Sequence, residues 1–151
     1  MDSEIIASVR RLSQQYSYST IQLHETVGRK AGLTGTDHKY LGFLIQKGQM
    51  TAGELANMTG LTTGSVTGLI DRLEQKKFVK RRFIQDDRRK VIIEANTKYI
   101  METFDPLYKE FRSKTEKLIS SFSSREIKII ETFLTKATQL AEQTTEQLNA
   151  V

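Results

Sequence analysis

The stretch MTAGELANMTGLTTGSVTGLIDRLEQKKFVKRRFIQDDRRKVII, residues 50–93, decides the fold. It opens with Thr51-Ala-Gly-Glu54, the spacing of a capping box, in which the Thr oxygen caps the first turn and the Glu reaches back to the Thr amide. A short helix with Leu55, Ala56 and Met58 follows. Gly60 ends it, because a tight turn there needs a positive φ. Thr62 caps a second helix that reaches Gln75, with Val66, Leu69, Ile70 and Leu73 at the spacing of a buried stripe. Beyond it the pattern turns β-branched and aromatic. Phe78–Ile84 and Lys90–Ala95, separated by Gln85-Asp-Asp-Arg-Arg89, predict a β-hairpin with a charged loop.

Outward from this stretch the chain reads as helices. Asp37 starts one over Leu41, Phe43, Leu44 and Ile45 that ends near Gly48, after a connector from Leu33 to Thr36. Residues 3–31 carry Ile5, Ile6, Val9, Leu12, Tyr16, Leu23 and Val27, an apolar stripe along one long helix whose end Gly28 and Gly32 weaken. After the hairpin, Asn96 or Thr97 starts a helix with Ile100, Met101, Phe104, Leu107, Tyr108 and Phe111. Pro106 lies inside it and predicts a kink or break near residue 102. Ser123-Ser-Arg-Glu126 is a second capping box and opens a last helix carrying Ile127, Ile130, Phe133, Leu134, Ala137, Leu140, Ala141 and Leu148. The expected architecture is mainly α with a small β-hairpin, one domain over 1–151. Its compact middle is 36–96 and its helical flanks are 1–35 and 97–151. Flanking stripes in so short a chain pack on each other or on a second copy, and the latter implies a homodimer.

Composition narrows the chemistry. The 151 residues contain one Pro, no Trp and no Cys. That excludes thiol catalysis, disulfides and Cys-ligated zinc, and leaves His24 and His38 as the nitrogen ligands. No metal cluster, phosphate loop or nucleophile–base arrangement stands in the sequence, so no metal, no cofactor and no enzyme is expected. The N-terminus lacks an apolar core and no apolar run approaches the roughly 20 residues of a membrane span, so a cytoplasmic protein is expected. The net charge is +5. Residues 72–90 hold nine basic and three acidic groups, an excess of +6, so the rest of the chain is nearly neutral. Such clustering is either a solvated basic face or a footprint for a polyanion.

The helix 62–75 decides between those readings. Its outer face carries Thr62, Thr63, Gly64, Ser65, Thr67 and Gly68, all small and mostly hydroxylated. Small residues let a backbone approach another surface, and hydroxyls donate to phosphates or base edges. A helix about 10–12 Å across fits a major groove about 12 Å wide. Arg88 and Arg89 at a loop tip suit a narrow minor groove, with Asp87 beside them to direct a guanidinium.

Taken together, these features resemble the winged helix-turn-helix of MarR-family bacterial transcriptional regulators over about residues 36–95. The resemblance rests on the helix pair, on Asp71-Arg72-Leu73-Glu74 closing the second helix, and on Asp87-Arg88-Arg89 just before Lys90-Val91-Ile92. It implies a homodimer built from the outer helices, with recognition helices 62–75 in two major grooves of a pseudo-palindromic operator and wings 84–90 at the minor grooves. Thr62, Thr63, Ser65 and Thr67 would face the groove, Arg72 would contact backbone or base, and Asp87 would orient Arg89. Ile84 and Gln85 depart from many family wings, which leaves the division of roles between Arg88 and Arg89 open. The absence of Cys excludes the thiol-oxidation sensing of one branch of the family.

The resemblance also implies a small aromatic or phenolic effector, with Tyr16, His24, Tyr40, Phe43, Phe104 and Tyr108 as candidate lining residues against their ordinary reading as core or surface. The expected function is a ligand-responsive dimeric repressor that binds double-stranded DNA. One alternative is a winged-helix protein–protein interaction module that binds no DNA. The other is a small-molecule carrier or enzyme, for which no catalytic constellation exists.

Overall fold

The computed structural model describes the backbone of residues 3–84 and 87–150, and the side chains of 3–83 and 91–150. In chain order the elements are α1 (Ser3–Lys30), α2 (Gly35–Lys47), β1 (Gln49–Thr51), α3 (Ala52–Thr59), α4 (Thr63–Gln75), β2 (Val79–Ile84), β3 (Asp87–Ala95), α5 (Thr97–Ser120) and α6 (Ser124–Asn149). The chain divides into two compact units, residues 1–108 and 109–151. The mainly helical architecture matches the expectation, with one strand added.

Local chemistry accounts for the boundaries. Thr51 Oγ accepts from the Glu54 amide at 3.2 Å while the Thr51 amide donates to Glu54 Oε2 at 2.7 Å, completing the capping box of α3. Gly60 closes α3 at φ 69°, in the left-handed region where a Cβ is costly. Thr62 Oγ accepts from the Ser65 amide at 3.2 Å and starts α4. At the other end of α4 the left-handed turn falls on Lys77, φ 67°. The Phe78 amide donates to the Leu73 carbonyl at 2.9 Å and the Asn96 side-chain amide donates to the Lys77 carbonyl at 3.0 Å. These bonds satisfy the groups left free at the helix end.

Four expectations change. Helix α2 begins two residues before Asp37, because Thr34 Oγ accepts the Asp37 amide at 3.0 Å and is the cap. Residues 49–51 form a strand too short to leave a periodic signal, and its last residue is also the cap of α3. β3 begins at Asp87, which pairs with Ile84, and the register then jumps to Phe83↔Val91, so Arg88 and Arg89 belong to the strand at an irregularity between those two pairs instead of to the loop. Strand pairing extends hydrogen bonding to Ile84↔Asp87, which outweighs the poor strand propensity of Asp. Lastly, α5 runs unbroken through Pro106. Proline removes one of the many i→i−4 bonds of a long helix, and the Ile100 and Phe104 side chains anchor the preceding turns in the core.

The first unit packs α2, α3 and α4 against an antiparallel sheet of order β1-β3-β2. Met50 lies opposite Ile93, and Phe83 opposite Val91, with an irregularity at Phe83/Ile84. Leu41, Leu44, Leu55, Val66, Leu69, Ile70, Leu73, Phe78 and Ile93 are inaccessible or nearly so, and Val27, Leu33, Ile100 and Phe104 close the core from α1, its connector and α5. All four residues of the stripe expected in the helix 62–75 are therefore core.

In the second unit, Ser123 and Glu126 form the expected capping box of α6. No described residue of α6 is buried, and Ile129, Phe133, Leu134, Leu140 and Leu148 stand exposed. α1 likewise exposes Ile5, Ile6, Val9 and Leu12. No helix among the described residues is long and apolar enough to cross a membrane.

Leu73 is fully buried between the helix pair and the sheet. Leu73→Ala is expected to lower the unfolding free energy by about 2–5 kcal/mol, read as a shift of the urea midpoint with an unchanged slope.

Candidate nucleic-acid interface

α4 presents two unlike faces. At about 100° per residue, Gly64 and Gly68 stand opposite the buried stripe of Val66, Leu69, Ile70 and Leu73. Thr62, Thr63, Ser65 and Thr67 are exposed around them. Their hydroxyls make only local bonds. Thr62 Oγ donates to Ser65 Oγ at 3.0 Å, and Thr67 Oγ donates to the Thr63 carbonyl at 3.0 Å. A Cβ built on Gly64 meets nothing within 4 Å. Glycine in a helix interior costs about 1 kcal/mol relative to alanine, and no neighbour among the described residues accounts for it here. The helix thus offers a bare backbone ridge bordered by hydroxyls.

Ion pairs hold this ridge from both sides. Towards α2, Arg72 Nε donates to Asp37 Oδ2 at 3.0 Å and Nη2 donates to Oδ1 at 2.7 Å. The Asp37 side chain is 2% exposed and that of Arg72 is 51% exposed. The carboxylate raises the guanidinium pKa above its already high ordinary value. Towards β2, the Arg81 guanidinium bridges Asp71 and Glu74 of α4, and its own amide donates to Glu74 Oε1 at 2.9 Å. On the other side of the strand, Lys80 and Arg82 share Glu94 at 3.1 and 2.5 Å, and Arg82 Nη2 donates to the Gln49 side chain. Those two cations pull the Glu94 pKa below its ordinary range.

The basic strip is accordingly less free than its sequence suggests. Of its six cations with described side chains, Arg72, Lys80, Arg81 and Arg82 are paired with carboxylates. Asp37, Asp71 and Glu94 come from outside residues 72–90 and lower the local excess from +6 to +3. Asp87, Arg88 and Arg89 have described backbones only, so their expected roles at the wing lie outside the described side chains.

Sequence reasoning missed Asp37 as the partner of Arg72. A signal existed: Asp37 lies four residues from both Leu33 and Leu41, in the apolar register of the core, where a carboxylate requires a partner.

The aromatic candidates separate into groups. His24 Nδ1 and the Tyr108 hydroxyl are hydrogen-bonded at 2.5 Å. The His24 ring stacks on His38 at 5.9 Å, and His38 meets Phe104 edge-on at 5.0 Å. His38, which was not among the lining candidates, is the centre of this cluster of α1, α2 and α5. A Cβ at Gly28 would sit 2.8 Å from His38 Cβ, so the glycine read as weakening α1 allows α2 to approach it. Tyr40 and Phe43 pair separately at 6.2 Å. Tyr16 stays exposed on α1, eight residues or about 12 Å of helix from His24. Burial, with His24 adding repulsion, lowers the His38 pKa, and burial raises that of Tyr108.

Comparison with known proteins agrees with this geometry. Residues 31–90 match the model of the MarR family. The HTH-type transcriptional regulator YcgE of Bacillus subtilis is 36% identical over 149 residues, spanning 97% of this chain and 94% of its own. A MarR family protein from Bacillus stearothermophilus has a similar structure, with a TM-score of 0.73, 23% identity and coverage of 94% and 99% of the two chains. A cysteine-to-serine mutant of MarR from E. coli, complexed with operator DNA, matches with a TM-score of 0.58 and 22% identity over 91% and 99%.

Two outcomes follow. Gly64→Ala is expected to stabilise the fold by about 1 kcal/mol in thermal unfolding; destabilisation would mean that the ridge has an internal role. The lowered His38 pKa means that the unfolded chain takes up the proton first. The resulting stability is present above the ordinary value of 6.5 and lost as pH falls through the lower folded pKa. Melting curves between pH 7.5 and 5.5 are expected to fall, and to fall less for His38→Gln.

Proposed function

Because the chain belongs to the MarR family of transcriptional regulators, we propose that it is a homodimeric repressor that binds a pseudo-palindromic operator and responds to a small ligand. The observation that carries the DNA-binding part is the exposed ridge of α4. Gly64 is bare, Gly68 is covered only by the Arg72 guanidinium, hydroxyls border them, and no described residue uses Gly64.

In this reading α4 enters the major groove. The ridge lets the helix axis approach the base edges, and Thr62, Thr63, Ser65 and Thr67 donate to phosphates or bases. β2 and β3 carry the wing, from which Arg88 and Arg89 probe the minor groove with Asp87 as orienting partner. The E. coli MarR mutant solved with operator DNA supplies a precedent in the same fold. The exposed apolar residues of α1 and α6 supply the dimer seam, formed by residues 1–35 and 97–151, because stripes of this size are rarely left in water. Dimer symmetry then sets the half-sites about one helical turn apart. Occupation of such a site within a promoter blocks transcription, and the protein acts in the bacterial cytoplasm where its DNA lies. The effector is a small aromatic or phenolic molecule, for which the His24, His38, Phe104 and Tyr108 cluster offers ring faces and polar atoms.

A second reading draws on the pairing of the strip. With four described cations tied to carboxylates, the domain also suits a protein–protein interaction module without DNA binding.

Enrichment of random-sequence duplexes on the wild-type protein decides between them. A palindromic motif whose affinity falls steeply with salt is expected, and no enrichment would overturn DNA binding. On the enriched duplex, Arg89→Ala is expected to weaken binding tenfold or more with the melting temperature unchanged; undiminished binding would remove Arg89 from the wing contact.

A further inference from the structure

We infer that Arg72 is a positioning residue for DNA recognition, held by Asp37 to fix the angle of α4, and that its charge does not neutralise a phosphate. This rests on the DNA-binding reading of α4 and deepens it. Family resemblance places Arg72 among the contacts, and composition counts it in the basic strip. The geometry assigns it elsewhere.

Two of its nitrogens are engaged by the two oxygens of one carboxylate, at 3.0 and 2.7 Å. That carboxylate is almost wholly buried and is the one buried charged side chain among the described residues. Turning Arg72 outward to a phosphate would leave Asp37 buried without its cation, which is far costlier than losing an exposed pair. Its remaining nitrogen, Nη1, lies 3.4 Å from the Cβ position of Gly68, so the guanidinium is laid along α4 beside the bare ridge.

The place of the pair in the fold gives it leverage. Arg72 stands in the last turn of α4, on the flank towards α2, while Asp71 and Glu74 face Arg81 of β2 on the other flank. α4 is therefore tied near its end from two sides. A groove-reading helix must hold its angle, because a small tilt about that end displaces the Thr62–Ser65 turn at its start from the base edges. The Asp37 tie reaches the helix from α2, and the Arg81 tie reaches it from the wing strand. Together they set α4 relative to both neighbours without using any group on the ridge.

The test uses the full-length protein and a duplex enriched by the wild type, with affinity measured by fluorescence anisotropy across a salt series. Arg72→Lys keeps the charge but loses the fork. It is expected to bind about tenfold more weakly and to discriminate less between the enriched duplex and its single-base variants. Arg72→Gln is expected to do the same, with the slope of log affinity against log salt unchanged. Asp37→Asn is expected to match it, and the double variant to be no worse than either single one. Wild-type-like binding by Arg72→Lys, together with a slope reduced by about 0.9 in Arg72→Gln, would make Arg72 a phosphate contact and overturn the inference. Base discrimination is the readout that mere stabilisation would not move at temperatures well below melting. If Asp37→Asn fails to fold, the two Arg72 variants decide alone. Failure of the wild type to enrich any duplex would overturn the DNA-binding reading and this role together; enrichment followed by the phosphate pattern would overturn only this role.

Discussion

A carboxylate in an apolar core dictates how its surroundings are arranged. Asp37 shares the helical spacing of the buried Leu33, Tyr40 and Leu41, a position that the periodicity of α2 reserves for an apolar side chain, and it is 1% exposed. A charge there is tolerable only with a hydrogen-bonded cation. Arg72 supplies that cation from the last turn of α4, with one bond to each carboxylate oxygen. Leucine packing would let α2 and α4 slide over each other at little cost. A bidentate pair allows one angle and one register. The apolar stripe of α4 provides the adhesion, and the ion pair selects among the ways of adhering.

The wing depends on the same logic. β2 is the strand nearest α4 in sequence, and Arg81 joins it to two carboxylates one turn apart on that helix. Lys80 and Arg82 point to the opposite side of the sheet and converge on Glu94 of β3. The alternation of a strand thus sends three consecutive cations to two different tasks. What reads in one dimension as a run of positive charge is, in three, a set of fasteners.

The parts that were legible in the sequence are those set by neighbours in the chain. Both capping boxes, the stop at Gly60 and the stripe of α4 depend on residues at most a few positions apart, and each stands where the sequence placed it. Non-local pairings were not legible. β1 forms because Gln49–Thr51 meets Ile92–Glu94 far along the chain. Asp37 belongs to Arg72, thirty-five residues away. His38 gathers His24 and Phe104 from two other helices, and Gly28 is small because His38 presses on it, not because α1 ends there. Pro106 misled for the opposite reason. A local rule was applied where tertiary packing on both preceding turns holds the helix together.

The bare ridge of α4 has a consequence for how such proteins diversify. Apart from the Thr62 cap, its residues hold no other element: Gly64 touches no described side chain, and the hydroxyls around it bond only within their own turn. Substitutions at its positions beyond the cap leave the scaffold intact, while those on the inner stripe or at Asp37 do not. On the DNA-binding role proposed for this ridge, a duplicated copy of the gene drifts to a new target through its outer positions alone, without first acquiring spare stability to survive the change.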